Sequence, residues 1–445
     1  MMQDWFKDAK FGIIIHWGLY SVDGVHESWA MPFAKMSYEE YFKQLEGFTA
    51  EEYDPYQWAE LFKEAGAKYA VLTTKHHEGF CLFDTKYTDL NSVKATPCGR
   101  DLIDPYVDAL KKNGLKVGLY FTNTDWADDD HMKVILDMTD EELAELKKER
   151  RLFFSRLFEA KPTPSPERKA ELDACWARFM TRYKGEIKEL ITRHKPDLLW
   201  TDSMIMREGF SWECKEVKKM IEEINPTTIL NGRLGDEGDY VTPEGYIPMR
   251  AGGDTIWEMC TTINSSWGYQ PGDRSFKNVN KLVRILGECL TKGGNLLLSV
   301  GPDGKGRIQP EVVSVLKKLG KWINKYSEAI YPTRRGLDPA YFLGGSTITE
   351  DKKTLYLFAY DISSDQIMLN GIRNSIKKIT SLKNGQELTY RFDGHSPPEP
   401  IAGFCWIDVP KEARDEVCTV IKVEFNEPLD PMDMNVMDGE FKRGN

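Results

Sequence analysis

The 445-residue chain lacks several features by which whole classes of protein are identified. Its eight cysteines, at positions 81, 98, 175, 214, 260, 289, 405 and 418, form no C-x-x-C pair, which argues against a disulfide framework or a zinc knuckle. The only early apolar run, Phe11 to Ile15, is too short for a signal peptide or a membrane span. We therefore expect a soluble protein with reduced thiols, either cytoplasmic or, if a leader has been removed, secreted or periplasmic.

Basic residues are also scarce relative to acidic ones. The chain has 59 Lys and Arg against 70 Asp and Glu, a net charge of −11 at pH 7. Because nucleic acids and anionic membranes attract basic surfaces, we expect neither as a partner. The sequence also lacks a G-x-G-x-x-G motif after its first predicted strand, which weakens the case for a dinucleotide-binding fold. We expect no cofactor.

What the chain does contain is a regular alternation of short apolar strands and amphipathic helices over its first three quarters. The predicted strands are Phe11–His16, Tyr69–Thr74, Lys116–Tyr120, Leu198–Asp202, Thr228–Asn231, Ile256–Cys260 and Asn295–Val300. Repeated strand–helix units of this number favour a (β/α)8-like barrel over an open sheet. We predict an α/β protein whose residues 1–335 form the barrel, with a charged helical insertion at about 128–171.

The pattern changes after Tyr331-Pro332. Five short β-type runs follow, separated by turn signals such as Lys383-Asn384-Gly385. Runs of this kind are typical of antiparallel sheets. We therefore predict that residues 336–445 form a C-terminal β-sandwich domain.

Polar and aromatic side chains collect where the predicted barrel strands end. His16 follows the first strand, His76 and His77 follow the second, and Trp200 and Asp202 close the fourth. Because the carboxyl ends of barrel strands form the catalytic face, we expect these side chains on one rim. The same rim is expected to receive Arg233, Trp257 and Glu258, with Trp17, Trp29, Trp200 and Trp257 as its indoles.

Two kinds of ligand suit such a rim. Imidazoles hydrogen-bond hydroxyl groups and indoles cover the apolar face of a sugar, which favours a polyhydroxylated ligand. Histidines and carboxylates can also bind zinc, although the H-E-x-x-H motif is absent. A metal-dependent hydrolase therefore stays open as an alternative.

Asp202 is the strongest candidate for a catalytic carboxylate, because it follows the apolar run Leu198–Trp200 and so lies where a strand opens into the cleft. A carboxylate there can attack an anomeric carbon while a second carboxylic acid protonates the leaving oxygen. Candidates for the second group are Glu244 and Glu258, with Glu237 a weaker third.

Eight segments of the chain, in order from residue 11 to residue 304, carry a family resemblance. They are Phe11–Ser21, Lys75–Phe80, Gly99–Leu102, Gly118–Tyr120, Lys195–Asp202, Trp257–Cys260, Ser266–Tyr269 and Gly293–Gly304. Together they resemble the α-L-fucosidases of glycoside hydrolase family 29. The resemblance implies a barrel followed by a β-sandwich, and retaining hydrolysis of terminal α-L-fucosyl linkages without a metal.

The resemblance also assigns roles to single residues. Asp202 matches the nucleophile, and Glu244 resembles the acid/base, with Glu258 as its rival. The positions that match fucose-binding residues are His16, His76, His77, Tyr120, Trp200, Arg233 and Trp257. The family often has Glu-Trp-Tyr after the first strand, where this chain has Glu27-Ser28-Trp29, so Glu27 and Trp29 are the expected equivalents. Gly is common where this chain has Ser203.

The resemblance predicts an exo-α-L-fucosidase that acts by double displacement on fucosylated oligosaccharides or glycoconjugates. A fucose-binding protein without turnover is a second alternative, beside the metal-dependent hydrolase. Linkage preference and homo-oligomer formation stay open, as does the role of the charged insertion, which is either a solvated packing arm or an element that contacts substrate.

Overall fold

The computed structural model describes residues 2–249, 255–394 and 403–431. Its first part is built on seven parallel strands, namely β1 (Phe11–Ile15), β2 (Tyr69–Lys75), β3 (Lys116–Thr122), β4 (Leu198–Asp202), β5 (Ile229–Leu230), β6 (Glu258–Thr262) and β7 (Asn295–Val300). They pair in the order β5-β4-β3-β2-β1-β7-β6. This curled parallel sheet agrees with the barrel predicted from the strand–helix alternation.

The sheet is completed by an irregular segment between β5 and β6. Asn231 bridges Tyr240 in parallel register, and Glu244 bridges Cys260 in the same way. The Cys260 amide donates to the Pro243 carbonyl at 3.1 Å, which fixes the segment against β6. Glu244 therefore lies on the segment that links β5 and β6, the two ends of the sheet.

Helices surround the sheet, and the first of them places Phe6 and Ala9 in a cluster inside the barrel. They are α1 (Asp4–Ala9), α2 (Tyr20–Asp23), α3 (Tyr38–Phe42), α4 (Pro55–Glu64), α5 (Ile103–Asn113), α6 (Asp129–Leu136), α7 (Asp140–Lys148), α8 (Pro166–His194), α9 (Cys214–Ile224), α10 (Val279–Thr291) and α11 (Pro310–Lys325). The α5 helix ends where Gly114 adopts a φ of +74°, a conformation that favours glycine. Within the described part of the chain, no helix has both the length and the apolar character needed to cross a membrane.

Side chains alternate between the two faces of each barrel strand, because successive residues of a strand point in opposite directions. Ile14, Val71 and Trp200 belong to a buried cluster inside the barrel. Ile13 and Ile15 belong to the larger cluster that includes residues of the helices. This alternation decides which residues at each strand end face the interior.

Residues 128–171 contain α6, α7 and the start of α8. The Ser165 side chain caps α8 and Pro166 occupies its first turn, so the helix begins inside the insertion. The segment is fastened to the loop before α3 and to α3 itself. The Phe154 amide donates to the Pro32 carbonyl in the loop at 3.1 Å, and the Arg150 guanidinium binds the carboxylate of Glu40 in α3 through two nitrogens.

The remaining strands are antiparallel. They are β8 (Arg334–Arg335), β9 (Gly345–Ile348), β10 (Thr354–Ala359), β11 (Gln366–Asn370), β12 (Ile376–Ser381), β13 (Tyr390–Asp393), β14 (Phe404–Asp408) and β15 (Thr419–Phe425). Sheets ordered β12-β15-β10-β9-β8 and β11-β14-β13 share a hydrophobic core, in agreement with the predicted sandwich. The domain limit at residue 335 stays a prediction, and residues 395–402 and 432–445 of that domain lie outside the described residues.

Candidate active site

A cavity of about 140 Å³ opens at the carboxyl ends of the barrel strands. It is lined by most of the residues predicted from the sequence, namely His16, Glu27, Trp29, His76, His77, Trp200, Asp202, Arg233 and Glu244, together with Ile14, Cys260 and Trp267. The structure therefore brings residues from β1, β2, β4 and the segments after β5 into one small pocket.

Asp202 ends β4 and lies at the centre of this pocket. The Tyr120 hydroxyl donates to its Oδ2 at 2.9 Å, and the Arg233 guanidinium donates to its Oδ1 at 2.6 Å. Burial alone would raise the pKa of Asp202, but the neighbouring Arg233 charge and these hydrogen bonds hold that pKa well below its usual range. The carboxylate is therefore ionised and held in a fixed orientation.

The residue after Asp202 explains a departure from the family pattern. Ser203 adopts a φ of +57°, in the left-handed region where glycine is favoured. In this conformation its backbone amide donates to Asp202 Oδ1 at 2.8 Å. Ser203 thus keeps the backbone turn that a glycine would make, with a conformational cost of about 1–2 kcal/mol.

Arg233 joins the two candidate catalytic carboxylates. One terminal nitrogen of its guanidinium contacts Asp202 Oδ1 at 2.6 Å, and the other contacts Glu244 Oε2 at 2.5 Å. The guanidinium also lies 4.6 Å from the centroid of the Trp200 ring. Asp202 is mostly buried, whereas the Glu244 side chain is 45% exposed at the pocket mouth.

The three histidines are oriented by hydroxyl groups behind the pocket. The Nδ1 atoms of His16, His76 and His77 lie 2.9, 2.5 and 2.6 Å from the hydroxyls of Ser299, Ser28 and Thr122. Each hydroxyl gives its own proton elsewhere: Ser299 donates to the Trp267 carbonyl, Ser28 to the Glu78 carboxylate and Thr122 to the Thr124 carbonyl. The hydrogen-bond network therefore assigns the Nδ1 proton to each imidazole.

This assignment determines what the pocket offers to a ligand. Burial, and then the proximity of His76, lowers the pKa of both His16 and His77 well below 6.5. These two rings are neutral at pH 7, so with Nδ1 protonated their Nε2 atoms accept hydrogen bonds. The pocket thus presents nitrogen acceptors and carboxylates, which suit the hydroxyl donors of a sugar.

Glu27 and Trp29 both lie at the pocket, as the resemblance implies. Glu27 is almost fully buried, and its Oε1 accepts from the Ser266 hydroxyl at 2.6 Å and from the Gly268 amide at 2.8 Å. Trp29 packs edge-on against His77, with 5.2 Å between the ring centroids. Glu27 therefore ties the loop after β1 to the loop after β6.

The strand end that carries His76 and His77 rests on a buried ion cluster. The Lys75 ammonium lies 2.8 Å from both the Asp125 and the Glu186 carboxylates, and Arg182 contacts the same two carboxylates. Removing one member of such a buried group leaves an uncompensated charge and is strongly destabilising. The cluster fixes α8 to β2 directly behind the histidine pair.

Glu258, the rival acid, occupies a different environment. It starts β6 and is fully buried, and its carboxyl accepts hydrogen bonds from Tyr69, from Trp200 Nε1 at 2.9 Å and from Tyr240 at 3.1 Å. Burial raises its pKa to about 7, although these hydrogen bonds oppose the rise. Cys260, two residues further along the same strand face, lines the pocket, so Glu258 lies one layer deeper in the barrel.

Two of the predicted pocket indoles lie in the hydrophobic core instead. Trp257 and Trp17 are 2% and 1% exposed and pack in the main core cluster. The reason is strand alternation: Trp17 follows the inward-facing His16, and Trp257 precedes the inward-facing Glu258. The prediction that Trp257 contacts the ligand therefore finds no support in the geometry.

Trp267 is the pocket indole that the site prediction missed. Its ring lines the cavity and lies 5.2 Å from His16 between centroids. The signal was present in the sequence, because Trp267 belongs to the Ser266–Tyr269 segment that resembles the family. The weaker candidate Glu237 lies in a short 3-10 helix, Gly235–Glu237, after β5.

Within the three described ranges, no group of three or more His, Cys, Asp or Glu side chains is arranged to hold a metal ion. The zinc alternative raised by the histidines thus gains no support from their arrangement. The Nδ1 atoms are directed at hydroxyls, as described above.

Comparisons with known proteins identify α-L-fucosidases as relatives of this chain. A sequence model of the α-L-fucosidase family matches residues 1–328. Tissue α-L-fucosidase of Rattus norvegicus is 30% identical over 358 residues, which cover 74% of this chain and 70% of that protein. α-L-Fucosidase isoenzyme 1 from Paenibacillus thiaminolyticus superposes with a TM-score of 0.79 at 32% identity, covering 95% and 98% of the two chains. The Thermotoga maritima α-fucosidase, in complex with a mechanism-based inhibitor, has a TM-score of 0.69 at 29% identity, covering 94% and 96%.

Proposed function

The chain belongs to the α-L-fucosidase family, glycoside hydrolase family 29, and from its site we propose that it is a retaining exo-α-L-fucosidase acting through a covalent fucosyl-enzyme. The family implies a fucosylated glycan as substrate. The small size of the pocket, about 140 Å³, suits a single terminal sugar residue and so supports exo action.

The observation that carries the proposal is the shared contact of Asp202 and Glu244 with Arg233. Because one guanidinium binds both carboxylates, their oxygens are separated by no more than two hydrogen bonds and the width of the guanidinium. Retaining glycosidases place their carboxyl groups about 5–5.5 Å apart, whereas inverting enzymes need about 6.5–9.5 Å to accommodate a water. The bridge brings both carboxylates within reach of one anomeric centre, as the proposed mechanism requires, and the retaining outcome is what the family implies.

In the first step we propose that Asp202 attacks the anomeric carbon of fucose. Its ionised state makes it available as a nucleophile, and Tyr120 and Arg233 hold its two oxygens in fixed directions. Glu244 gives a proton to the glycosidic oxygen as the carbon–oxygen bond breaks, so the leaving sugar departs as a neutral alcohol.

In the second step water replaces the leaving group. Glu244, now a carboxylate, takes a proton from that water, the hydroxyl attacks the anomeric carbon, and Asp202 leaves as a carboxylate. The position of Glu244 at the pocket mouth supports this role, because both leaving group and water reach the anomeric carbon from that side.

The same geometry favours Glu244 over Glu258 as acid/base. Glu258 is enclosed by Tyr69, Trp200 and Tyr240 beneath the pocket, and its carboxyl is occupied by their hydrogen bonds. A general acid must lie within about 2.6–3.2 Å of the oxygen that it protonates, directly or through one water. We propose that Glu258 instead holds the Trp200 indole in place.

Support for covalent chemistry comes from a similar protein. The Thermotoga maritima α-fucosidase has been solved in complex with a mechanism-based inhibitor. Inhibitors of that class react with catalytic groups, which is the behaviour that we propose for Asp202.

The experiment follows release of fucose from a 4-nitrophenyl α-L-fucoside by proton NMR, with and without EDTA. We expect the α anomer of fucose to form first, and activity to be unaffected by EDTA. First formation of the β anomer would contradict retention, loss of activity with EDTA would support the metal-dependent alternative, and binding of fucose without release would support the binding-protein alternative.

The acid/base assignment has its own test with paired variants. Glu244→Gln should keep much of its kcat/KM on the nitrophenyl fucoside, whose leaving group needs little protonation, although kcat falls because hydrolysis of the fucosyl-enzyme needs the same residue as base. On a fucosyl disaccharide its kcat/KM should fall at least about a hundredfold. Glu258→Gln is the matched control and should affect both substrates equally. The opposite pattern would assign the acid/base role to Glu258.

A further inference from the structure

A groove of about 1200 Å³ adjoins the small pocket. The two cavities share four lining residues, namely Glu27, Trp29, Glu244 and Trp267. Because Glu244 lies at their junction, the group bonded to the glycosidic oxygen has this groove directly in front of it. The groove is therefore the space available to the leaving group.

One wall of the groove is a continuous series of aromatic rings. Phe154 stacks on Phe33 with 4.5 Å between centroids and an interplanar angle of 28°. Phe158 packs edge-on against Phe154 at 5.3 Å, and Trp29 does so at 5.7 Å. Since Trp29 in turn contacts His77, the rings run without a break from the groove to the pocket.

This wall remains open to solvent. Phe158 is 64% exposed and Phe33 is 37% exposed. Exposed aromatic rings next to a catalytic pocket are typical of ligand sites, because large apolar side chains gain stability from being covered. Phe154 and Phe158 both come from the 128–171 insertion, and the Pro32 contacts described above fix that insertion beside the pocket.

The other residues of the groove are polar, which defines the chemistry of its occupant. Ser265, Asp273, Arg274 and Ser275 line the same cavity, and the Asp273 carboxylate organises this loop by accepting from the Ser265 and Ser275 amides at 2.9 and 2.7 Å. A ligand with one apolar face and a hydroxylated edge matches such a groove. A pyranose ring has that character.

We propose that Phe33 and Phe158, supported by Phe154, form a stacking platform for the pyranose ring bonded to fucose, so that the insertion determines aglycone preference. This inference rests on the proposed function. The platform contributes binding energy to the leaving sugar and none to the fucosyl group itself. Loss of the platform should therefore lower kcat/KM for glycan substrates and leave kcat/KM unchanged for substrates whose leaving group is a single atom.

The test compares a fucosyl–hexose disaccharide with α-L-fucosyl fluoride, whose leaving fluoride does not reach the groove. Phe158→Ala should lower kcat/KM for the disaccharide about three- to tenfold, mainly through KM, since one aromatic contact has about that value. The same variant should hydrolyse fucosyl fluoride at the wild-type rate. Phe158→Trp should restore disaccharide activity.

Leu152→Ala is the matched control. Leu152 is 60% exposed on the same segment, and it is not among the described residues that line the groove. It pairs with Phe33 through a backbone bridge, which the change to Ala keeps. Leu152→Ala should leave the rates of hydrolysis of both substrates unchanged. Equal losses on both substrates in Phe158→Ala, or no loss on either, would overturn the platform while leaving the proposed function standing. Failure of the wild-type protein to hydrolyse fucosyl fluoride would overturn both.

Discussion

Replacement of Arg233 by Met tests how the nucleophile is kept ionised. Met has a similar length but no charge, so Arg233→Met removes the cation that contacts Asp202 Oδ1 at 2.6 Å. Burial, which favours the neutral carboxyl, is then no longer offset by the Arg233 charge, so the pKa of Asp202 must rise. In the wild-type protein Asp202 is charged at every pH above its depressed pKa. The activity of the protein is therefore lost only as the pH falls through that value.

The size of the effect follows from the geometry. Two opposite charges about 4 Å apart interact by about 4 kcal/mol at an effective dielectric constant of about 20. One pKa unit corresponds to about 1.4 kcal/mol, so the upper limit of the rise is about three units. Measured effects of an adjacent cation on an aspartate are about 1–3 units. The acid limb of the variant should therefore lie about 1–3 pH units above that of the wild type.

The assay is kcat/KM for a 4-nitrophenyl α-L-fucoside between pH 2 and 8, because this parameter reports the pKa values of the free enzyme. The depressed pKa of wild-type Asp202 puts its acid limb at or below the low end of this range, so the variant should show a limb there that the wild type lacks. Circular dichroism at each pH shows that the variant remains folded. Arg233→Lys is the matched control: it keeps the positive charge, loses the two-pronged contact, and should lower kcat without moving the acid limb. An acid limb for a folded Arg233→Met that coincides with the wild-type limb would refute the reasoning.

Two further predictions concern buried groups near the site. Because burial raises the pKa of Glu258 from 4.5 to about 7, the native state should lose about 3 kcal/mol of stability as the pH rises from about 4.5 to 7. Glu258→Gln should remove that dependence in urea unfolding, and parallel curves for the two proteins would contradict it. Ser28→Ala removes the hydroxyl between His76 and Glu78; it should cost about 1–3 kcal/mol in urea unfolding and raise KM, and an unchanged KM would contradict the orienting role.

Much of the fold is predictable from the sequence because strand and helix periods are local properties. The predicted strands Leu198–Asp202 and Asn295–Val300 have the observed limits. The sequence does not show how the sheet closes. The segment from Tyr240 to Glu244 pairs with its neighbours through single bridges, and so short a stretch carries no periodic signal.

Site residues that directly end a strand were predictable from the sequence. Residues whose place in the pocket depends on which face of the strand they occupy were harder to predict. His16 and Asp202 lie in the pocket as expected. Trp257 does not, because it occupies the outward-facing position beside Glu258. The same alternation that places Trp200 inside the barrel could have excluded Trp257, had it been applied to β6. The groove could not be predicted at all, since Phe33 and Phe158 are far apart in the chain and are joined only by tertiary packing, through Phe154.

The central claim is that Asp202 forms a covalent bond to fucose. It is tested most directly by inactivating the protein with 2-deoxy-2-fluoro-α-L-fucosyl fluoride, digesting it and locating the added mass by tandem mass spectrometry. The account predicts one 2-fluorofucosyl group, attached to Asp202. A label on any other residue, or steady fucose release from unmodified substrate by an Asp202→Ala variant, would contradict it.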